Sequence, residues 1–183
     1  MFFFNLFIIR IMKSRNIINS GIFLTISLLL IIISSSGAFA QSVANFSGTW
    51  AFNETKSNLG DGGFRMLSQK LIISQDANTF SIERAFTNQN GEERKTAETY
   101  TLDGKESKNP VFNTEKKSKV TWSADKQALT VNSIMVLEMN DEKNEIKTVE
   151  VYTLDDVGKI LSVNSSSSSS RGERKATMVY DKK

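Results

Sequence analysis

The chain has 183 residues with 23 basic and 20 acidic side chains, and it contains neither cysteine nor histidine. Cysteine nucleophiles, imidazole bases and the zinc, copper or haem sites that need His or Cys ligands are therefore excluded. The excess positive charge comes from Arg10, Lys13 and Arg15, so residues 41–183 are neutral overall. A neutral chain lacks the electrostatic footprint of a protein that binds nucleic acid or an anionic membrane. We expect no nucleic-acid partner, no metal and no cofactor.

The first forty residues have the organisation of an export signal. An apolar run at residues 22–33 follows Lys13 and Arg15 and precedes an Ala-Phe-Ala ending at residues 38–40, which signal peptidase accepts. The run is about a dozen residues long, whereas a membrane-spanning helix needs roughly 20. We therefore predict a cleaved signal peptide at residues 1–40, with an uncleaved membrane anchor as the alternative.

Export has consequences for the rest of the chain. Residues 41–183 are of a length that suits one domain, which would be secreted or periplasmic and would meet a membrane only transiently during export. Met12 is an alternative start, since Met-Lys-Ser-Arg leads directly into the apolar run. The sequence leaves the oligomeric state open.

Turn signals about ten residues apart predict an antiparallel β-meander after the export signal. Three stretches, residues 73–82, 122–131 and 154–163, each place polar turn residues between two apolar segments, as in a β-hairpin. No segment has apolar residues at helical spacing over three turns. The predicted strands cover residues 46–53, 68–75, 79–87, 93–102, 116–123, 127–138, 145–154, 159–165 and 174–182.

Alternation along these strands separates an apolar face from a polar one. Trp50 lies on the apolar face of the first strand, and Phe80, Ile82 and Phe86 lie on that of the third. Arg84 has the same parity as these three residues, so its guanidinium would point toward the apolar side. Closure of the meander would remove the exposed edges of a flat sheet, which favours a barrel of eight to ten strands.

The two ends of the mature sequence resemble those of a known group of barrels. Phe46-Ser47-Gly48-Thr49-Trp50, placed at the start of a meander, resembles the opening of the lipocalins and fatty-acid-binding proteins, the calycin group, and of bacterial exported lipocalin-like domains. Residues 177–182 look like the closing strand of the fatty-acid-binding branch, which pairs with the first strand. Met178 stands where that branch usually carries arginine.

The resemblance implies a lipocalin-like barrel with a ligand in its lumen. Trp50 would close one end beneath an arginine, either Arg171 or Arg174. We expect a small hydrophobic or amphipathic ligand and no catalysis. The residues expected to line its site are Trp50, Phe80, Ile82, Arg84, Trp122 and Tyr152.

A filled barrel or sandwich that acts as a cell-surface or periplasmic interaction or structural module is the alternative. A hydrolase ranks last because the chain has no Gly-x-Ser-x-Gly motif. A filled interior would favour the interaction module over the ligand carrier.

Four further segments are ambiguous. Residues 53–66 form either a flap over a barrel mouth or a flexible loop. Residues 165–170 are consecutive serines, interpreted as a solvated edge or loop. Residues 140–145 carry oxygen ligands for calcium but lack the spacing of a calcium loop. The basic cluster at residues 116–119 is interpreted as a solvated strand edge.

Overall fold

The computed structural model describes residues 42–60, 67–87, 91–111, 113–139, 142–155 and 157–183. These residues form an all-β structure with one short 3₁₀ turn, Glu54–Lys56. No helix among them is long and apolar enough to cross a membrane. The ten strands are β1 (Gly48–Phe52), β2 (Ser68–Gln75), β3 (Thr79–Thr87), β4 (Glu93–Thr101), β5 (Glu106–Val111), β6 (Thr114–Trp122), β7 (Ala128–Met139), β8 (Glu142–Leu154), β9 (Ile160–Ser169) and β10 (Gly172–Lys182).

The strands form one antiparallel meander that is nearly closed into a barrel. Their order in the sheet is β4-β3-β2-β1-β10-β9-β8-β7-β6-β5, so neighbours in sequence are neighbours in space and the last strand pairs with the first. The β1–β10 pairing places Trp50 opposite Lys182 and Phe52 opposite Tyr180. The expectation that the closing strand pairs with the first strand is confirmed.

The remaining seam, between β4 and β5, is joined by side chains in place of a backbone ladder. Asn109 accepts a hydrogen bond from Thr99 N at 2.8 Å and donates one to Thr99 O at 3.0 Å. Thr101 N donates to the hydroxyl of Ser107 at 2.9 Å. An unpaired strand edge exposes backbone donors and acceptors. Asn109 and Ser107 satisfy three of them and hold the barrel together at its seam.

Residues 42–47 close one end of the barrel. Gln127 donates a hydrogen bond to Ser42 O at 2.8 Å, and Phe46 N donates to the side chain of Gln75 at 3.0 Å, so this segment runs from the β6–β7 turn to the end of β2. Phe46 is fully buried and its ring lies 6.0 Å from that of Trp122. Alternation in the sequence predicts that Phe46 belongs to the first strand, but that strand begins at Gly48.

The half of the barrel next to Phe46, here called the apolar half, is filled with side chains. Phe80 packs edge-on against Phe46 and Tyr152, with ring centroids 6.1 and 5.4 Å apart. Period-two alternation on every strand delivers these residues to the interior. The apolar half is lined by Phe46, Trp50, Leu71, Ile73, Phe80, Ile82, Tyr100, Val120, Leu129, Val131, Tyr152, Leu161, Val163 and Tyr180.

Three predictions of local structure are wrong. The basic cluster at residues 116–119 is not a solvated strand edge, because β6 lies between β5 and β7 and the Lys116 side chain is largely buried. The sequence does not predict β5, because this segment is polar and contains Pro110, a residue that argues against a strand. Pro110 is tolerated because β5 lies at the seam. The serine tract at residues 165–170 is interpreted from sequence as a solvated edge or loop, but most of it belongs to β9, which lies between β8 and β10. Its backbone is satisfied by pairing on both sides.

Two ambiguous segments fall partly outside the described residues. Of the loop at 53–66, the structure describes residues 53–60, where Asn58 forms a bridge with Thr177 of β10. Its glycine pair and Phe64 lie outside. The possible calcium segment lies partly outside as well, and the described part of the chain contains no cluster of acidic side chains able to hold a metal.

Candidate functional site: a charged cavity in the barrel

The half of the barrel away from Phe46, here called the polar half, contains a cavity of about 340 Å³. This volume is within the range of small-molecule pockets. The lining residues have the inward parity of their strands, except Ser68, which a register shift between Ser68 and Lys70 turns inward, so the cavity is part of the lumen. Its lining consists of Ser68, Arg84, Phe86, Thr96, Glu98, Val111, Lys116, Thr148, Glu150, Ser165, Ser167, Arg174 and Met178.

Arg84 is the centre of an ion-pair network at the floor of this cavity. Its Nη2 donates to Glu150 Oε2 at 2.7 Å and to the hydroxyl of Tyr152 at 2.6 Å. Its Nε lies 3.5 Å from Glu98 Oε1, and Lys116 Nζ lies 2.7 Å from Glu98 Oε2. The four ionic side chains are 3 to 14% exposed. Two cations and two anions, all largely buried, therefore neutralise one another.

Burial and pairing act in opposite directions on these groups. Burial disfavours the charge of Glu98, but the ammonium of Lys116 and the guanidinium of Arg84 hold its pKa below the ordinary value. Burial also disfavours the charge of Arg84, yet the carboxylates of Glu150 and Glu98 raise its pKa well above the usual range. Burial raises the pKa of Tyr152 well above its usual range. At neutral pH Glu98 and Arg84 are charged and Tyr152 is a hydrogen-bond donor.

The two carboxylates belong to two copies of one sequence motif. Residues 98–103 and 150–155 both read Glu-x-Tyr-Thr-Leu-Asp, the first copy on β4 and the second on β8. In each copy the tyrosine donates a hydrogen bond to the glutamate two residues earlier, at 2.7 Å for Tyr100 and 2.8 Å for Tyr152. The motif works because residues two apart share a strand face. Arg84 lies between the two copies.

The rest of the cavity wall is made of hydroxyls and a small apolar patch. Within the described part of the chain, the inward hydroxyls make no hydrogen bond with another side chain; they belong to Ser68, Thr96, Thr148, Ser165 and Ser167. No described polar side-chain atom is both sealed from solvent and without a partner. These hydroxyls therefore open into the cavity. Phe86, Val111 and Met178 supply the apolar patch.

The structure separates the six residues predicted to bind a ligand. Trp50, Phe80, Ile82 and Tyr152 are at most 1% exposed and pack in the apolar half. Trp122 is partly buried against the same core. Arg84 alone of the six lines the cavity, and the hydroxyl of Tyr152 is hydrogen-bonded to Arg84. Most of the residues predicted to bind a ligand therefore lie outside the polar half of the barrel. Their contact with a ligand stays a prediction.

The cation beside Trp50 is a lysine. Lys182 Nζ lies 5.2 Å from the centre of the Trp50 ring, and the indole Nε1 donates to Phe46 O at 2.9 Å. The expectation of Arg171 or Arg174 at this place is wrong, because Arg174 lines the cavity of the polar half and Arg171 precedes β10. Trp50 does lie at the closed end of the barrel.

Two larger depressions lie on the outside of the barrel. One, of about 500 Å³, covers β8 to β10 beside Asn58; the other, of about 730 Å³, covers β5 to β8 and includes the exposed Ile134, Val136 and Val149. The lining of both consists chiefly of outward-facing side chains. Neither brings together a paired set of buried charges, so the interior cavity is the stronger candidate site.

Sequence reasoning misses Glu98, Glu150, Lys116 and the inward serines. Parity is a signal that finds the charged residues, because Glu98 and Glu150 each share a strand face with a buried tyrosine and Lys116 shares one with the buried Val120. The serines carry no such signal because a run of one residue type has no visible alternation. Only the backbone register shows which of them face inward.

No family model matches the chain, and no curated protein or solved structure matches it. Function must therefore be inferred from the site itself.

Proposed function

We propose that the protein is a non-catalytic carrier or receptor that binds a small amphipathic molecule in the polar half of the barrel. One observation carries this proposal. A lumen cavity of about 340 Å³ combines a fully paired ionic floor, open hydroxyls and an apolar patch. Concave sites with a few convergent polar groups are typical of small-molecule binding.

The chemistry of the cavity favours binding over catalysis. A general acid or base works best when its pKa is near the working pH. The pKa of Glu98 is held below its ordinary value, and that of Tyr152 is held well above it by burial. Both groups therefore keep one protonation state at neutral pH. In this state they orient Arg84 and shape the site.

A fluorescence titration tests the proposal. Prodan, an uncharged dye whose emission depends on the polarity of its surroundings, should bind saturably with a blue-shifted emission. At a concentration a hundredfold above its dissociation constant it should stabilise the protein by about 2.7 kcal/mol, which raises the melting temperature by roughly 5–10 °C.

A pair of neighbouring substitutions locates the binding. Ser167 faces the cavity, whereas Ser166 lies on the outer face of the same strand. Ser167→Phe should fill the cavity and abolish the titration, and Ser166→Phe should leave it unchanged. Equal binding by both variants, or none by the original protein, would contradict the proposal.

We also propose that the protein is exported and belongs with the lipocalin-like barrels. The features that support the second statement are Gly48-Thr49-Trp50 on β1, the position of Trp50 at the closed end, and the β1–β10 pairing. Residues 1–41 lie outside the described residues. Mass spectrometry of the secreted or periplasmic protein should show a chain beginning at Gln41, and a stable membrane-embedded precursor would contradict export.

An interaction module is the second candidate, and the filled apolar half favours it. Trp50, Phe80, Leu129 and Tyr152 leave no room for a ligand in that half. The module would then act through its outer surface. Absence of any saturable probe binding in the lumen would favour this candidate.

A further inference from the structure

We infer that the cavity binds an uncharged, hydroxyl-bearing ligand. Its hydroxyls would form hydrogen bonds with Glu150 and with the serine face of β9, which is formed by Ser165 and Ser167. The inference rests on the proposed function and names the ligand class of the same site. It also gives a role to the serine tract. Three features carry it: the serine face of β9, the electrical balance of the cavity floor, and one free carboxylate oxygen.

The serine tract creates the cavity. Along the inward face of β9, Leu161 and Val163 fill the apolar half, and the next two inward residues are Ser165 and Ser167. The change from branched aliphatic to serine side chains leaves space and replaces apolar surface with hydroxyls. Each hydroxyl both donates and accepts hydrogen bonds. A ligand hydroxyl has the same dual capacity, so the two match in either direction.

The cavity floor disfavours a ligand with a single charge. A carboxylate that approaches Arg84 competes with Glu150, which already accepts from Nη2 at 2.7 Å. Displacement of Glu150 would leave a largely buried carboxylate without its partner, which is strongly unfavourable. An ammonium ion at Glu150 would meet a carboxylate whose charge the guanidinium of Arg84 already neutralises at 2.7 Å. An uncharged ligand leaves the balanced network intact.

One acceptor on the floor is still available. Glu150 Oε2 binds Arg84 and Tyr152, whereas Glu150 Oε1 accepts no hydrogen bond from the described side chains. Because no described polar atom is both sealed and without a partner, this oxygen faces the cavity. A hydrogen bond to a charged group is stronger than one between neutral groups. A ligand hydroxyl donating to Glu150 Oε1 would therefore be held firmly.

Arg174 is the residue that most favours an anionic ligand. It lines the cavity and, within the described part of the chain, forms no ion pair. Its side chain is exposed at the mouth, however, where water screens its charge. It can attract an anion without holding it against the floor. The test must therefore compare acidic and neutral ligands directly.

Isothermal titration with three probes that share one octyl chain makes this comparison. The probes are octyl glucoside below its micellar concentration, octanoate and octylammonium. We expect octyl glucoside to bind at least tenfold more tightly than either charged probe and to compete with Prodan. The apolar chain would lie on Phe86, Val111 and Met178, and the sugar hydroxyls would reach the floor.

Matched serine variants test the residues assigned to recognition. Removal of two neutral hydrogen bonds in the double variant Ser165→Ala/Ser167→Ala should weaken octyl glucoside about tenfold and leave Prodan affinity nearly unchanged. The control is Ser166→Ala/Ser168→Ala, which changes the outward serines of the same strand and should have no effect. The urea midpoint of both variants shows whether each remains folded.

Each other outcome overturns a defined part of the account. Tighter binding of octanoate or octylammonium would overturn the ligand class and leave lumen binding intact. Equal loss of octyl glucoside affinity in the inward and outward variants would overturn the role of β9. Failure of Prodan and of all three octyl probes to bind would overturn the ligand class and the proposed function together.

Discussion

Replacement of Arg84 by methionine tests the ion-pair network most severely. Arg84→Met keeps the length of the side chain but leaves Glu98 and Glu150 without the guanidinium that joins them. Removal of one partner from a buried pair commonly destabilises a protein by about 3–5 kcal/mol. Glu98 retains Lys116 and Tyr100, and Glu150 opens to the cavity. We therefore expect a loss at the lower end, about 3 kcal/mol.

Urea denaturation followed by tryptophan fluorescence measures this loss. With a slope of about 1.5–2 kcal/mol/M, a loss of about 3 kcal/mol lowers the midpoint by roughly 1.5–2 M. The double variant Arg84→Met/Glu150→Gln should recover part of the loss, because it also removes the uncompensated carboxylate. The control is Lys95→Met, which breaks exposed ion pairs with Glu83 and Glu93. This variant should have the same urea midpoint as the original protein.

Two results would refute the reasoning. A midpoint for Arg84→Met within about 0.3 M of the original would show that the network does not stabilise the fold. A further loss in the double variant would show that the carboxylate of Glu150 is stabilised by something other than Arg84.

Three further predictions concern the closed end, the acid side of the pH range and the seam. Trp50→Ala should cost about 3–5 kcal/mol in a urea titration, because the indole is fully buried and bonded to Phe46 O; an unchanged midpoint would mean that the ring is exposed in solution. The stability that Glu98 contributes is present above its ordinary pKa of 4.5 and is lost as the pH falls through its lower folded-state pKa. The urea concentration at the midpoint should therefore decrease as the pH is lowered below about 4.5, and it should decrease less in Glu98→Gln. An equal decrease in the variant and the original protein would assign the effect to other carboxylates. Asn109→Ala should accelerate hydrogen exchange at Thr99 N–H about fivefold or more, since their hydrogen bond spans the seam. Unchanged protection would show that contacts other than Asn109 close the seam between β4 and β5.

Patterns with a period of two make the architecture predictable. Turn signals and alternating apolar residues are enough for an all-β meander, and the same parity places Arg84 on the apolar face from the sequence alone. The same rule applied to Glu98 and Glu150 predicts their inward position, because each lies two residues before a buried tyrosine. The network is therefore within reach of sequence reasoning.

Other features depend on tertiary context that local sequence does not carry. β5 is polar and contains Pro110, yet it is a strand because its backbone pairs with β6, while Asn109 and Ser107 bond to β4 across the seam. The serine tract has no alternation to read, and its inward residues are fixed only by pairing with β8 and β10. The resemblance to the calycin group implies that Trp50 closes one end of the barrel, whereas in the structure Phe46, which lies outside the strands, completes this closure.

A crystal structure of the complex with octyl glucoside would show whether the polar half of the lumen is a ligand site. We expect the sugar inside the barrel, with one hydroxyl about 2.7–3 Å from Glu150 Oε1 and another at the same distance from Ser167 Oγ. We also expect an unbroken pair between Arg84 and Glu150. Octyl glucoside bound only on the outer surface, with the lumen unoccupied by it, would contradict the account.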